Sequence, residues 1–194
     1  TNTFLAGYAK HGHPYDFHKM RFVIAGAEKL TAETRQLWAE KYGIRIFEGY
    51  GATEASPVVA VNTPMGSKPD SVGQLLAKME YYLEPVEGIP TGGRLIVRGP
   101  NIMRGYLFHG GDGDYYPPST AYGQGWYDTG DIVTVDDDEY VSIVGRQKRF
   151  AKIGGEMVPL QQTEDIANLV WPDHTHAAVT LADTRQGEQI ILIS

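Results

Sequence analysis

The sequence predicts an α/β segment, then a β-rich subdomain built as a small barrel or sandwich, then a hinge leading into the start of a smaller α/β piece. Three observations predict it. Two short apolar runs frame a helical pattern between about residues 21 and 47. Glycines and prolines then cut the chain into short β-like runs. From Gly145 the chain turns basic and regains a helical period. The boundaries drawn from this texture are 1–62, 63–144 and 145–194.

Arg21-Phe22-Val23-Ile24-Ala25-Gly26-Ala27 reads as a buried strand that stops at glycine. Thr31 is placed to cap a helix over 32–42, whose Leu37, Trp38 and Tyr42 share one face, and Gly43 ends it. Ile44-Arg45-Ile46-Phe47 is the next strand and runs into Glu48-Gly49-Tyr50-Gly51. Strand, helix and strand within about 30 residues make a βαβ unit. A parallel pair is therefore expected, with ligands beyond the carboxyl ends of its strands.

In the middle segment Tyr81–Leu83, Arg94–Val97, Ile132–Val135 and Tyr140–Val144 read as strands, the last two joined through the hairpin tip Asp136-Asp137-Asp138-Glu139. Past Gly154-Gly155, a helix is expected near 162–170 with Ile166, Leu169 and Val170 as its apolar face. Ala177–Leu181 and Gln189–Ile193 read as strands. The chain stops directly after the second, so it is expected to be a piece of a longer protein.

Hydrophobic residues are 42% of the 194 and charged residues 21%, a balance that builds a core and lies outside the disordered regime. No apolar stretch approaches the roughly 20 residues needed to span a bilayer, and Thr1-Asn2-Thr3-Phe4 opens no signal-peptide pattern. The absence of cysteine removes disulfides and thiolate metal sites and fits a reducing compartment. A net charge of −7 argues against a nucleic-acid partner, whose phosphates favour a basic surface.

Three motifs can carry chemistry. In Glu48-Gly49-Tyr50-Gly51-Ala52-Thr53-Glu54, Tyr50 can stack on a purine, Thr53 can hold a phosphate oxygen and Glu54 can offer a hard oxygen to Mg²⁺. An ordinary turn with a solvated glutamate is the plain alternative. Trp126-Tyr127-Asp128-Thr129-Gly130-Asp131 ends on a carboxylate able to accept both ribose hydroxyls, or simply on a turn before a strand. Gly145 to Lys152 carries four cations in the seven residues from Arg146, namely Arg146, Lys148, Arg149 and Lys152; a solvated basic face is its bland account. Other signals are set aside. His11, His13 and His18 share a loop, but Gly12 and Pro14 break any common ligand face. Asp112-Gly113-Asp114 lacks the bidentate glutamate of a calcium loop and reads as a turn.

In order, Ala25-Gly26-Ala27-Glu28, Tyr50-Gly51-Ala52-Thr53-Glu54, Gly93–Gly99 with Arg104-Gly105-Tyr106-Leu107, Tyr127-Asp128-Thr129-Gly130-Asp131 and Gly145-Arg146 resemble the acyl-adenylate-forming superfamily, over about residues 21–165. Within it, Ala25–Leu30, Tyr127–Val133 and Lys148–Val158 resemble the acyl-acyl carrier protein synthetase part of the bifunctional 2-acylglycerophosphoethanolamine acyltransferases. That resemblance implies the end of a large adenylating domain followed by the start of its C-terminal lid. It implies ATP and Mg²⁺ as cofactors, a fatty acid as substrate, and acyl carrier protein as the thiol-bearing partner. It also implies a parent at the cytoplasmic face with inner-membrane association. Gly26, Ala27 and Glu28 would lie along the adenine with Tyr50 and Gly51 against it, and Asp131 and Arg146 would hold the ribose. Thr53 would face the α-phosphate and Glu54 the metal. Lys148 falls at the hinge, and Lys152 matches a lysine used in thiol transfer. Gly154 and Gly155 would let a phosphopantetheine arm pass, leaving Arg149 as the cation free to dock the carrier protein.

The chain departs from that pattern twice. The Ser/Thr/Gly-rich phosphate loop and the late Gly-Lys of the superfamily are not among its 194 residues, so the isolated chain is expected to be inactive, since lost electrostatic stabilisers each cost ~10²-fold or more. An acyl-CoA synthetase with CoA as acceptor, and a non-catalytic nucleotide- or lipid-binding module, remain the alternatives.

Overall fold

The computed structural model describes residues 1–111, 113–183 and 185–194; Asp112 of the expected Asp112-Gly113-Asp114 turn lies outside them. The chain divides into two compact units. The first comprises Thr1–Met79, Arg98–Pro118 and Val135–Ser142; the second comprises Glu80–Val97, Ser119–Thr134 and Ile143–Ser194.

The first unit is built on the expected βαβ element. Strand β1 (Val23–Ala25) pairs in parallel with β2 (Ile46–Gly51) in the register Val23↔Ile46. Between them runs α2 (Ala32–Tyr42); Thr31 Oγ1 accepts the Thr34 N–H, and Gly43 at φ 66° provides the left-handed stop. Trp38 is 1% exposed and packs with Leu37 and Tyr42 against Val23, Ala25 and Ile46, as the helical spacing predicts. Helix α1 (Asn2–His11) has no counterpart among the sequence-based expectations. It exists by tertiary support: Leu5 and Ala9 enter the same core, the Trp38 indole donates to Leu5 O at 2.8 Å and Lys41 to Ala9 O at 2.7 Å. Two further antiparallel strands, β3 (Val58–Val61) and β4 (Gln74–Leu75), complete the sheet in the order β1-β2-β3-β4. The tip Asp136–Glu139 is held by the Lys68–Asp136 ion pair at 2.5 Å, and Val72 and Val141 exchange backbone bonds with the facing chain.

The second unit holds two four-stranded sheets. One, ordered β10-β9-β6-β5, joins β5 (Glu80–Glu84), β6 (Gly93–Arg98), β9 (Tyr127–Val135) and β10 (Val141–Arg146); a small hairpin, β7 (Ser119–Thr120) with β8 (Gly123–Gln124), precedes β9. The β-rich middle is as expected; its strands run in the order β10-β9-β6-β5, with no closed barrel among the described residues. The other sheet, β12-β11-β14-β13, is formed by β11 (Phe150–Ile153), β12 (Glu156–Pro159), β13 (Ala177–Asp183) and β14 (Gly187–Ile193), with α3 (Leu160–Val170) packed on it. Here the expected helical face is corrected. Ile166, Leu169 and Val170 are exposed, and α3 instead turns Leu160, Glu164 and Ala167 inward. These three repeat at i, i+4 and i+7, the same period with a polar member. No helix among the described residues is long and apolar enough to cross a membrane.

Candidate functional site

In the first unit the candidate residues follow the carboxyl ends of β1 and β2. A methyl on Gly26 would come within 3.1 Å of Gly49 O, so the two strand ends are drawn tight. Ala27 adopts φ 72°, a conformation costly for a residue with Cβ and held by its surroundings. The Glu28 carboxylate accepts the Thr3 N–H at 2.8 Å in the first turn of α1. That backbone bond, foremost, lowers its pKa, and a carboxylate at a helix N-terminus is favoured by the helix dipole. Glu28 therefore already has a structural task.

Tyr50 lies half-buried opposite Ala60, and the register shifts between Tyr50 and Gly51. The chain then makes the 3₁₀ turn Thr53–Ala55. Gly51 is demanded by close approach, since a Cβ there would lie 1.8 Å from Pro57 O. The segment 98–118 clamps this loop. The Asn101 amide donates to Ala55 O at 2.8 Å and Val58 O at 2.7 Å, and the Met103 N–H to Glu54 O at 2.8 Å. The Tyr106 hydroxyl donates to Glu54 Oε1 at 3.0 Å, and burial, followed by that bond, raises the tyrosine's pKa. Thr53 is exposed, and its hydroxyl makes no hydrogen bond among the described residues. The sequence marks Thr53 and Glu54, quotes Tyr106 only within a motif and misses Asn101; the roles of these last two depend on contacts 52 and 46 residues away.

In the second unit the structure brings Asp131 and Arg146 together. Arg146 Nε stands 3.3 Å from Asp131 Oδ1, with the carboxylate side chain 7% exposed and the arginine 75%. Asp131 is set by its own strand: Thr129 Oγ1 accepts the Asp131 N–H at 3.1 Å while donating to Leu95 O at 2.8 Å. Gly130 at φ 69° provides the local twist. Nearby, Arg94 joins Glu84, Asp128 and Gln147. This hub was quoted in the sequence without a role; a half-buried arginine inside an apolar strand is the signal that could have found it.

Lys148 is exposed in the turn Gln147–Arg149. Arg149 is corrected: it is not free. Its guanidinium donates to Glu164 Oε1 at 2.6 Å, the same oxygen that accepts the Ala178 N–H at 2.7 Å. The Glu164 carboxylate is buried, so charge-assisted partners are what make that burial tolerable. Lys152 Nζ lies 3.1 Å from Glu87 Oε1, and its backbone N–H donates to Glu188. Gly154 and Gly155, at φ 60° and 95°, form the two-residue turn of the β11–β12 hairpin, whose closing pair is Ile153↔Glu156. Positive φ at both positions is what such a turn requires.

No cluster of three His, Cys, Asp or Glu side chains is found among the described residues. His13 and His18 are engaged with the backbone of their own 3₁₀ turn, Pro14–Phe17. Glu54 stands as a single carboxylate with one oxygen on Tyr106. A lone carboxylate fits Mg²⁺ arriving with nucleotide phosphates, which supply the other ligands.

Residues 1–107 match the family model described as AMP-binding enzyme. The chain belongs to the AMP-binding enzyme family. It is 34% identical over 179 residues to 4-coumarate–CoA ligase of Pinus taeda, covering 85% of this chain and 32% of that protein. It is 29% identical over 185 residues to the medium-chain fatty-acid–CoA ligase of Escherichia coli (strain K12), covering 91% and 31%. The crystal structure of ATP-bound MatB from Rhodopseudomonas palustris superposes with a TM-score of 0.78 at 26% identity, covering 98% of this chain and 39% of that one. The chain thus spans about a third of the length of these curated relatives.

Proposed function

We propose that this chain is part of an ATP-dependent, AMP-forming acid–thiol ligase. In this reading a carboxylate attacks the α-phosphorus of ATP, pyrophosphate leaves, and a thiol then displaces AMP from the acyl-adenylate. The observation that carries the reading is the Asp131–Arg146 pair, a preset carboxylate beside an exposed guanidinium on neighbouring strands of an AMP-binding family member. Asp131 would accept the ribose hydroxyls, with Arg146 steadying the carboxylate and the sugar. In the first unit Tyr50 and the backbone of Gly26, Ala27 and Gly51 are the proposed adenine contacts, and Thr53 offers its unused hydroxyl to phosphate. Glu54 has an oxygen left for Mg²⁺, which supplies charge neutralisation at phosphorus when bound.

The finer reading is a fatty acid as substrate and acyl carrier protein as acceptor, feeding lysophospholipid reacylation at the cytoplasmic face of a membrane. It is supported by the resemblance of Ala25–Leu30, Tyr127–Val133 and Lys148–Val158. The second reading, CoA as acceptor, is favoured by the names of the relatives. Both acceptors present a phosphopantetheine thiol. The test uses the full-length protein that carries this chain, supplied with ATP, Mg²⁺ and fatty acids. ATP–pyrophosphate exchange is expected, followed by acyl transfer to carrier protein in preference to CoA. Preference for CoA overturns the finer reading, and absence of exchange with every carboxylic acid tried overturns the coarser one.

A further inference from the structure

The ladder of β9 is interrupted where the strand carries Asp131. Arg94 of β6 pairs with Ile132 of β9 and Ile96 with Asp128, so Leu95 alone stands against Thr129, Gly130 and Asp131. Such a bulge re-aims the side chains within it. Its backbone is held by neighbouring side chains of the same strand. Thr129 Oγ1 donates to Leu95 O at 2.8 Å and accepts the Asp131 N–H at 3.1 Å, and Asp128 Oδ1 accepts the Gly130 N–H at 2.9 Å. The other Asp128 oxygen, Oδ2, lies 3.3 Å from Arg94 Nη1. That same nitrogen donates to Gln147 Oε1 at 3.2 Å, one residue beyond Arg146, while Nη2 donates to Glu84. Arg94 Nε is buried and has no hydrogen-bond partner among the described residues. All of these residues belong to the second unit.

Resting on the proposed ribose role of Asp131 and Arg146, we infer that Arg94 and Asp128 are positioning residues for nucleotide binding: Arg94 anchors the Asp128 carboxylate, and Asp128 fixes the bulge that presents Asp131. A brace for the sheet alone would need only the cross-strand pair with Glu84. The guanidinium does more, because its Nη1 reaches both the strand of Asp131 and the residue that follows Arg146. A planar fork fixes several acceptors at once, which a lysine ammonium at the same position does not. Strand formation does not explain the residue either. Leu95, Ile96 and Val97 beside it are buried, and an apolar side chain would build the same strand. A half-buried cation kept there with one donor unmet points to another task. Neither Arg94 nor Asp128 has to touch the nucleotide. A carboxylate held in place beforehand has less freedom to lose when the sugar binds, and that is how positioning raises affinity.

Arg94→Lys in the full-length protein tests this, with Kd measured for ATP and for 2′,3′-dideoxy-ATP, which lacks the hydroxyls that Asp131 would accept. ATP binding is expected to weaken roughly three- to ten-fold, the scale of one hydrogen bond, while binding of the dideoxy analogue stays unchanged. A merely structural lesion would weaken both alike. Asp128→Ala, which removes the acceptor of the Gly130 amide, is expected to act in the same way. The double variant should fall short of the product of the two losses, because both act on one bulge. Hydrogen exchange reads the bulge without nucleotide: the Gly130 and Asp131 amides should exchange faster in both variants. Equal weakening of the two nucleotides, an unaltered preference for ATP over the analogue, or unchanged exchange at Gly130 and Asp131 overturns the positioning role. Faster exchange in variants of a protein whose wild type binds both nucleotides equally supports the hold on the bulge and overturns the ribose assignment instead.

Discussion

Gly51 and the Gly154–Gly155 pair sit in glycine turns of the two units, and different forces demand them. Gly51 has no positive φ; the carbonyl of Pro57 occupies the space where its Cβ would be. Gly154 and Gly155 have open space around them, and their positive φ alone excludes a side chain. A glycine required by contact fails when any atom is added, because backbone on the other side must move. A glycine required by conformation fails only by the local strain. The loop Gly51–Val58 is accordingly a clamped element, with Asn101 and Met103 bonded into it, whereas nothing lies within 4 Å of where Cβ atoms on Gly154 and Gly155 would be.

That contrast orders the expected mutational effects. Gly51→Ala is expected to cost on the order of 3 kcal/mol or more of stability in the full-length protein, since overpacking against backbone has no cheap relaxation. Denaturant unfolding measures it, and a loss below about 1 kcal/mol, the strain of a turn glycine, would erase the distinction. Arg149→Glu places a second carboxylate against buried Glu164 and is expected to cost about 2 kcal/mol, less than a fully buried pair because Arg149 is half exposed. The same unfolding measurement checks it, and an unchanged midpoint with a selective loss of carrier-protein binding would restore Arg149 as a docking residue. Gly154→Ala should cost only about 1 kcal/mol, the strain of one left-handed residue, as a drop in melting temperature without loss of cooperativity.

The smallest effect lies at the hairpin tip of the first unit. The Lys68 side chain, foremost, lowers the Asp136 pKa below 3.8, and Asp136 raises that of Lys68 above 10.5. Asp136 therefore contributes stability that is present above pH 3.8 and lost as pH falls through its depressed value. Lys68 contributes stability present below pH 10.5 and lost as pH rises through its raised value. A Lys68→Met variant should melt slightly below wild type between these limits and converge with it outside them. A constant offset down to the lowest pH would show that the contact is steric rather than ionic.

Legibility in the sequence follows the same division between local and distant causes. The βαβ element was legible because its signals are local: Thr31 as cap, Gly43 as stop, and Leu37, Trp38 and Tyr42 at helical spacing. Helix α1 was not, since its stability comes from Trp38 and Lys41, more than 30 residues away. The buried face of α3 was not legible, because Glu164 looks solvated in sequence and its burial is made favourable by Arg149 and the Ala178 amide. Of the candidate site, the adjacency of the strands that carry Asp131 and Arg146 was legible from the hairpin tip Asp136–Glu139, but the approach of the two side chains to 3.3 Å was not. Gly154 and Gly155, expected to let a phosphopantetheine arm pass, form a hairpin turn whose positive φ angles need no ligand to explain them.

The account rests most directly on Asp131 as a ribose acceptor, so the deciding measurement is ATP affinity of the full-length protein with Asp131→Ala against wild type. The substitution leaves no buried charge behind, because Arg146 is 75% exposed, so melting should change little. Loss of hydrogen bonds to a charged group, about 1.5–3 kcal/mol, predicts ATP binding weakened by roughly ten- to a hundred-fold. Unaltered ATP affinity in a folded Asp131→Ala protein would contradict the assignment.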